Sequence, residues 1–431
     1  MKLPFTLTAY RLLMRALAPV LPLVLDHRAR HGKEDPARRH ERLGRPDWPR
    51  PPGQLVWLHG ASVGESLVLA GLVEAFSERQ PELRFLVTTG TMTSAELMAK
   101  RLPAIAHHQY LPIDTLGAVT RFLDYWHPDL AVFAESELWP NLVIETASRR
   151  IPMALVNARM NDRSLDNWQK RAESARFLLG CFDWIGAADA RTRDGLENLT
   201  GRAVTLAGNL KLEGRAAPPD ARALAEVRKA LGERPVWLAA STHPGEEAIV
   251  LHAHAMTLKA HPDALLILAP RHPERGDEVA RLVDKQGFRQ VRRSEGNLPG
   301  SKDQIWLADT LGEMALWYAA APASLIAGSL LPDIGGHNPV EASQAGTSVI
   351  SGEFTASFDD VYSSYRQHKA AQFISNAAGL AAAIDKVWAG QAPALSAAKA
   401  AIKQASGGAM DTSLAALETL LREGKGAEIA P

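Results

Sequence analysis

A single cysteine, Cys181, in a chain of 431 residues excludes a disulfide framework and any zinc site built from several thiolates. A reducing compartment is the default for so cysteine-poor a chain. Net charge is lacking too: 48 Lys and Arg balance 48 Asp and Glu, so the surface as a whole is not built to hold nucleic acid. No long apolar run occurs. Within Phe5 to Leu25 the residues Arg11, Arg15, Pro19 and Pro22 intervene. The charge-free stretch from Ala16 to Leu25 rises about 15 Å as a helix, half a hydrocarbon core, so it is expected to lie on a membrane rather than span it. Bulky Leu23-Val24-Leu25 followed by Asp26 offers no small-residue cleavage site, and removal as a signal peptide is not expected. The P-loop pattern is absent, and so are short solenoid repeats and low-complexity tracts.

What is present is an ordinary globular balance, 46% hydrophobic and 22% charged, with length for two or three domains. Charge is uneven along it. Residues 1–50 carry eleven basic and five acidic side chains, a local +6. The cations Arg28, Arg30, Lys33, Arg38, Arg39, Arg42, Arg45 and Arg50 follow the apolar segment, as in a helix resting at an anionic leaflet with the protein body on the cytoplasmic side. A helix packed on its own domain, followed by a solvated loop, is the other reading.

From residue 54 the chain repeats a short apolar run, a loop and an amphipathic helical stretch. Strands are expected at 55–59, 84–89, 130–134, 153–157 and 184–187, and again at 236–240, 265–269, 304–308, 324–327 and 348–350. Helical stretches separate them, and the Ala-rich region 377–402 reads as helix. Strand and helix in alternation predict an α/β fold of two doubly wound, Rossmann-like parallel sheets. Gly and Pro place a linker near 208–220. The expected domains are 1–50, a membrane-associated segment; 51–210; and 211–431, with the last helix able to cross back. Ligands of such halves bind at the carboxyl ends of the strands, here in a cleft between facing halves.

The first strand runs into His59-Gly60-Ala61-Ser62-Val63-Gly64-Glu65-Ser66, where two glycines permit a tight turn into a helix. Two roles are open to its carboxylate. Ser62 and Glu65 have the spacing of a capping box; alternatively Glu65 faces substrate and removes a proton from an attacking hydroxyl, at a helix end whose dipole favours negative charge. The spacing is not that of a dinucleotide fingerprint, so nicotinamide chemistry loses support. Glu135 and Glu137, in Ala134-Glu135-Ser136-Glu137-Leu138-Trp139-Pro140-Asn141, follow a strand whose alternation predicts a shared face, unless one caps the next helix.

In the second half, Ala269-Pro270-Arg271-His272 closes a strand with a guanidinium suited to a phosphate, or else a solvated loop residue. Ser241-Thr242-His243 and Asp309-Thr310-Leu311-Gly312-Glu313-Met314 occupy equivalent strand ends. In Gly335-Gly336-His337-Asn338-Pro339-Val340-Glu341 a glycine pair precedes a helix with Pro339 at its expected first position. Backbone N–H groups would there meet an anion, and Glu341 would accept from hydroxyls; a loop capped by Asn338 is the alternative. Several polar strand ends in one half favour a nucleotide site. His107, His108, His252 and His254 lack the carboxylate or thiolate company of a metal site.

Six of these motifs in this order resemble the 3-deoxy-D-manno-octulosonic acid (Kdo) transferases, glycosyltransferases of the GT-B class: His59–Glu65, Glu135–Asn141, Gly208-Asn209-Leu210-Lys211, Ala269–His272, Asp309-Thr310 with Gly312-Glu313, and Gly335–Asn338. The resemblance runs nearly end to end. It implies inverting transfer of Kdo from CMP-Kdo to a lipid A precursor, lipid IVA, at the cytoplasmic face of the inner membrane. It implies Glu65 as general base, and Pro270, Arg271, Gly312, Glu313, Met314, Asn338, Pro339, Val340 and Glu341 as the CMP-holding residues. Ser62, Gly64, Glu137, Lys211, Ser241, His272, Asp309, Thr310, Gly336 and His337 are the supporting candidates. The chain departs from the family pattern at Ala342-Ser343, where Pro-Ala is usual, and at Gly352-Glu353-Phe354. A departing nucleoside monophosphate can be stabilised by Arg271 and the His337-Asn338 loop, so neither metal nor cofactor is expected. The rivals are a nucleotide-sugar epimerase of the same architecture and a non-catalytic, membrane-tethered nucleotide sensor.

Overall fold

The computed structural model describes residues 3–214 and 218–426. The chain divides into two compact units, one formed by residues up to Gly214 together with those from Ser406 onward, the other by the residues between them. In the first, β1 (Leu55–His59), β2 (Arg84–Thr89), β3 (Ala106–Tyr110), β4 (Leu130–Ala134), β5 (Met153–Ala158), β6 (Trp184–Ala187) and β7 (Thr205–Leu206) form one parallel sheet in the order β3-β2-β1-β4-β5-β6-β7. Alternation along β1 sends Leu55 and Trp57 to the face packed with Phe122 and Phe133, and Val56 and Leu58 to the face packed with Phe76 and Phe85. Both faces are buried, which is why the strands read as continuous apolar runs. Strand order reverses beside β1, and β1 and β4 open at their carboxyl ends at that switch point.

The second unit repeats the plan. Here β8 (Val236–Thr242), β9 (Leu265–Pro270), β10 (Gln290–Arg292), β11 (Ile305–Leu307), β12 (Ala323–Ile326), β13 (Ser348–Ser351) and β14 (Ala371–Phe373) lie in the order β10-β11-β9-β8-β12-β13-β14. Trp237, Leu266, Leu268, Leu325 and Ile350 belong to its core. The fold class is thus the α/β, doubly wound one that the alternation predicts. The strands it did not predict are β3, β7, β10 and β14, all toward the outer parts of the sheets. The Ala-rich region is two helices, Ala377–Trp388 and Leu395–Ser406, interrupted around Gly390, whose φ is 73°.

Lys211 to Gly214, expected in the second half, belong to the first unit. The Leu210 N–H donates to Asn157 Oδ1 at 2.9 Å, and Leu210 and Leu212 are buried. The helix Ala409–Gly426 is also in this unit, with Leu414, Leu417 and Leu421 in the core on the Val56 face. The expected linker therefore begins only after Gly214, and its Ala216 and Ala217 lie outside the described residues. Gly208, at φ 95°, passes so close to Ser406 that a Cβ would sit 1.9 Å from the Ser406 carbonyl oxygen. The Asn209 N–H donates to that same oxygen at 3.0 Å. Gly208→Ala is expected to destabilise the unit by more than about 1 kcal/mol, because both the backbone angle and the space exclude a methyl group. An unchanged urea midpoint would show that the two segments separate freely.

The first fifty residues are not a detached arm. Helices α1 (Phe5–Leu17) and α2 (Leu21–Arg30) meet at 69°, and no single helix among the described residues is long and apolar enough to cross a membrane. On the inner side of α1, Leu7 is buried, Tyr10 Oη donates to Asp114 Oδ2 at 2.8 Å, and Arg11 pairs with Glu145 at 2.7 Å. Leu12 and Leu23 nevertheless remain 61% and 66% exposed, and Phe5 84%. The two readings of this segment are compatible: one side packs on the unit and another stays bare. The cationic stretch is another matter, because part of its charge is matched internally. Arg42 is buried and donates to Glu34 and to the Gly90 and Leu111 carbonyls. Arg38 pairs with Glu41, Arg28 with Glu34 and Arg39 with Asp26, while Arg50 donates to the Trp126 carbonyl.

Candidate active site

In the first unit the polar groups gather where β1, β4 and β5 end. Ser62 is the N-cap of the helix Val63–Arg79. The Glu65 carboxylate folds back over its own turn: Oε2 accepts from the Ala61 N–H at 2.7 Å and Oε1 from the Ser62 hydroxyl at 2.7 Å, while the Glu65 N–H donates to Ser62 Oγ at 3.3 Å. Glu65 is 8% exposed. Of the two roles the sequence left open, the side chain therefore fills the capping one, and it does not reach out of the turn. Each carboxylate oxygen keeps a further lone pair for an additional donor.

The strand alternation expected to align Glu135 with Glu137 stops at Ala134. Glu135 has φ 58°, in the left-handed region, and its carboxylate forms an ion pair with Lys211. Asn157, also left-handed at φ 51°, reaches Glu135 through its amide at 3.5 Å and accepts from the Leu210 N–H, which seats the segment carrying Lys211. Gly64 leaves space at this place, since a Cβ there would come 3.6 Å from Lys211 Nζ. Glu137 takes different partners. Its Oε2 accepts from the Trp139 indole at 2.8 Å and faces His59 Nε2 at 3.6 Å. Burial raises the Glu137 carboxyl, but the neighbouring His59 ring, with the Trp139 indole, outweighs it and holds the group below the usual carboxylate range. His59 is fully buried, with Nδ1 3.0 Å from the Thr88 carbonyl oxygen and therefore protonated there. A cavity of about 290 Å³, lined by Leu21, Val24 and Leu25 of α2 together with His59, Ala61 and Trp139, adjoins the Glu65 turn.

In the second unit, Pro270 ends β9 buried, and Arg271 beyond it is exposed, with no ion pair or side-chain hydrogen bond among the described residues. His272 is exposed beside Glu274 at 3.3 Å. Ser241 has φ 59°, at the register shift between β8 and β9. Gly312, Met314 and Glu341 line one cavity of about 690 Å³ with Tyr318 and Lys399, a size that accommodates a nucleoside phosphate. Other candidates are already engaged within the unit. Asp309 accepts from the Ser294 N–H and hydroxyl and from Arg292; burial raises it, and these bonds bring it below its ordinary value. Glu313 is held low by Arg293 and also accepts from Thr310.

The glycine loop differs from expectation. The Gly336 N–H turns inward to the Gly328 carbonyl at 2.7 Å rather than outward to an anion. The helix that follows, Val340–Ala345, has six residues; Pro339 precedes it, and the Asn338 side chain accepts from the Val340 N–H at 3.0 Å. The unusual Ser343 is bonded to Tyr365 Oη at 2.8 Å. Gly352, which opens the other departing segment, lies where a Cβ would meet the Ser329 carbonyl oxygen at 1.9 Å.

Comparison with known proteins adds the lineage. The family profile described as 3-Deoxy-D-manno-octulosonic-acid transferase (kdotransferase) matches residues 37–213, the stretch that holds Glu65, Glu135, Glu137 and Lys211. The 3-deoxy-D-manno-octulosonic acid transferase of Rickettsia bellii is 35% identical over 362 residues, covering 84% of this chain and 86% of the relative. The chain belongs to the Kdo transferase family. A probable mitochondrial 3-deoxy-D-manno-octulosonic acid transferase of Arabidopsis thaliana is 34% identical over 373 residues, covering 84% and 83%. A solved putative UDP-N-acetylglucosamine 2-epimerase from Listeria monocytogenes superposes with a TM-score of 0.54 at 14% identity, over 86% of this chain and 98% of that one. At that identity the likeness is one of fold, the GT-B arrangement of two Rossmann-like units.

Within this Kdo transferase family member, three contributors had no role in the sequence reading. Asn157 is a lone amide in an apolar strand, a pattern that can be seen in sequence. His59 ends β1, but its buried contact with Glu137 depends on β1 and β4 being neighbours. Glu246 follows Pro244-Gly245 as an ordinary helix-start acid, yet it is completely buried and accepts from three backbone N–H groups.

Proposed function

We propose that the protein is an inverting glycosyltransferase that moves Kdo from CMP-Kdo to a lipid A precursor, lipid IVA, at the cytoplasmic face of the inner membrane. Membership of the Kdo transferase family carries this reading, and the site is compatible with it. The 690 Å³ cavity would take the cytidine end of the donor, and the exposed Arg271, which is not among its lining residues, would be the guanidinium for the phosphate. An acceptor hydroxyl attacks the Kdo anomeric carbon and gives its proton to Glu65. The bond from that carbon to the phosphate oxygen breaks, and its electron pair leaves with CMP. Because the Glu65 carboxylate is held by neutral donors of its own turn, the hydroxyl must reach one of its remaining lone pairs. Arg271 offsets the charge gathering on the phosphate, and no metal is needed in that account.

Purified protein incubated with CMP-Kdo and lipid IVA tests this, with mass spectrometry of the lipid. A lipid heavier by Kdo is the expected product. An isomerised nucleotide sugar would instead indicate an epimerase, and binding without turnover a sensor. Arg271→Ala is expected to weaken CMP binding about ten- to a hundredfold, the worth of a charge-assisted hydrogen bond; unchanged affinity in calorimetry contradicts its phosphate role.

The bare side of α1 and α2 would rest on the lipid surface, beside the 290 Å³ cavity that adjoins the Glu65 turn. Membrane attachment here would draw on these apolar side chains as well as on the partly paired arginines. Changing Leu12, Leu13 and Leu23 together to Glu is expected to lower partitioning onto anionic vesicles at least about tenfold, with the soluble donor site intact. Full cosedimentation of that variant would reject the assignment.

A further inference from the structure

His243 and His337 meet Nε2 to Nε2 at 2.8 Å, with ring centroids 5.0 Å apart and planes 24° from parallel. At that distance two bare lone pairs repel and two N–H groups collide, so one proton lies between the rings. The pair joins two strand ends, His243 after β8 and His337 in the loop after β12. Its surroundings fix it firmly. The buried Glu246 carboxylate accepts from the N–H of His243 at 3.0 Å, of Gly328 at 2.8 Å and of Leu330 at 2.9 Å, tying both loops together. Tyr362 Oη donates to the His337 carbonyl at 2.8 Å, and the His337 ring rests on Gly328, where a Cβ would come 3.0 Å from Cδ2. Both imidazoles are half-buried, and His272 stands edge-on to His243 at 6.2 Å.

The charged groups around His243 are Glu246 and Glu247 of the helix Glu246–Ala260, and Arg271 and His272 after β9; those around His337 are His243 and Arg271. Burial, with the partner ring and Arg271, pushes His337 down to about 4. Burial also lowers His243, with Glu246 opposing. At neutral pH the pair is therefore uncharged and shares its bridging proton.

We propose that the His243–His337 pair is an oxyanion subsite that takes up one proton from solution when it is filled. This deepens the nucleotide-sugar reading above, on which it rests, by adding a ligand class and a proton count. An oxyanion drawn to the unpaired Arg271 sets negative charge against the two rings and favours their charged form. The added proton binds the remaining nitrogen of the donating ring, and the pair becomes a cation while its N–H···N link persists. A nucleotide phosphate and a sugar carboxylate both have this chemistry.

Calorimetric titration of the full-length protein at pH 7.5, in buffers of widely different ionisation enthalpy, counts the protons. CMP, free Kdo and cytidine are the probes. About one proton is expected per CMP or per Kdo bound and none per cytidine; uptake with CMP assigns the phosphate, and with Kdo the carboxylate. The phosphate of CMP is already ionised above its second pKa of about 6. Affinity for the anionic probe should therefore be greatest at low pH and fall by up to about tenfold per unit from pH 7 to 8.5. His243→Gln and His337→Gln should each remove the uptake. Binding of CMP and Kdo with no proton exchange by the wild-type protein, or uptake that survives both substitutions, overturns the subsite and leaves the nucleotide-sugar reading standing. Absence of CMP binding overturns both.

Discussion

Glu65→Gln is expected to lower Kdo transfer by about 10²–10⁴-fold, the usual contribution of a positioned general base, with thermal stability and CMP affinity near wild type. The structure sharpens this experiment, because Glu65 already has a local task. Its two oxygens accept from the Ala61 N–H and the Ser62 hydroxyl. Glutamine keeps one acceptor oxygen, and its amide can donate to Ser62 Oγ, since a hydroxyl rotates to suit. The turn should therefore survive. What glutamine cannot do is receive the acceptor's proton. Glu65→Ala supplies the contrast: it removes the cap as well, so it should lose transfer and also about 1 kcal/mol of stability. Wild-type-like turnover in the glutamine variant, measured by product mass with saturating CMP-Kdo, would reduce Glu65 to a helix cap and end its assignment as base.

That residue also shows what could be read in the sequence and what could not. The capping box was legible because every partner lies within four positions of Glu65. The pairing of Glu135 with Lys211 was not, since it needs the chain to enter the left-handed region after β4, where the alternation rule no longer applies. Central strands such as β1 and β4 were legible because they are apolar on both faces. The strand β3, Ala-His-His-Gln-Tyr, ends its sheet and lacks that signal, and β10 has only three residues. Missing β10 had a cost at the site. Arg292 belongs to that strand, and Arg293 and Ser294 follow it; these are the groups that occupy Asp309 and Glu313. Both acids tether a sheet edge, a task that their motif alone does not show. For the N-terminal arginines the limit is a related one: composition counts their charge, but not that Arg42 is buried with Glu34.

Glu246→Ala is expected to be the most destabilising of the substitutions considered, by about 3–5 kcal/mol. Three backbone donors, on His243, Gly328 and Leu330, have this one carboxylate as acceptor, and a buried donor left unsatisfied costs about 1–3 kcal/mol. The three losses are not fully additive, because the loops can relax together once released. Release is also the functional consequence, since the same loops carry His243 and the chain leading to His337. CMP affinity should fall along with stability, although Glu246 bonds the backbone of the loops and is a positioning residue. Glu246→Gln separates the two effects: one amide oxygen can still accept, while the –NH₂ faces an N–H where an acceptor stood, so an intermediate loss is expected. Urea denaturation of the three proteins gives the order wild type, Gln, Ala. A loss below about 1 kcal/mol for the alanine variant would mean that the two strand ends hold their places without the carboxylate, and the rigid setting of the histidine pair would need another source.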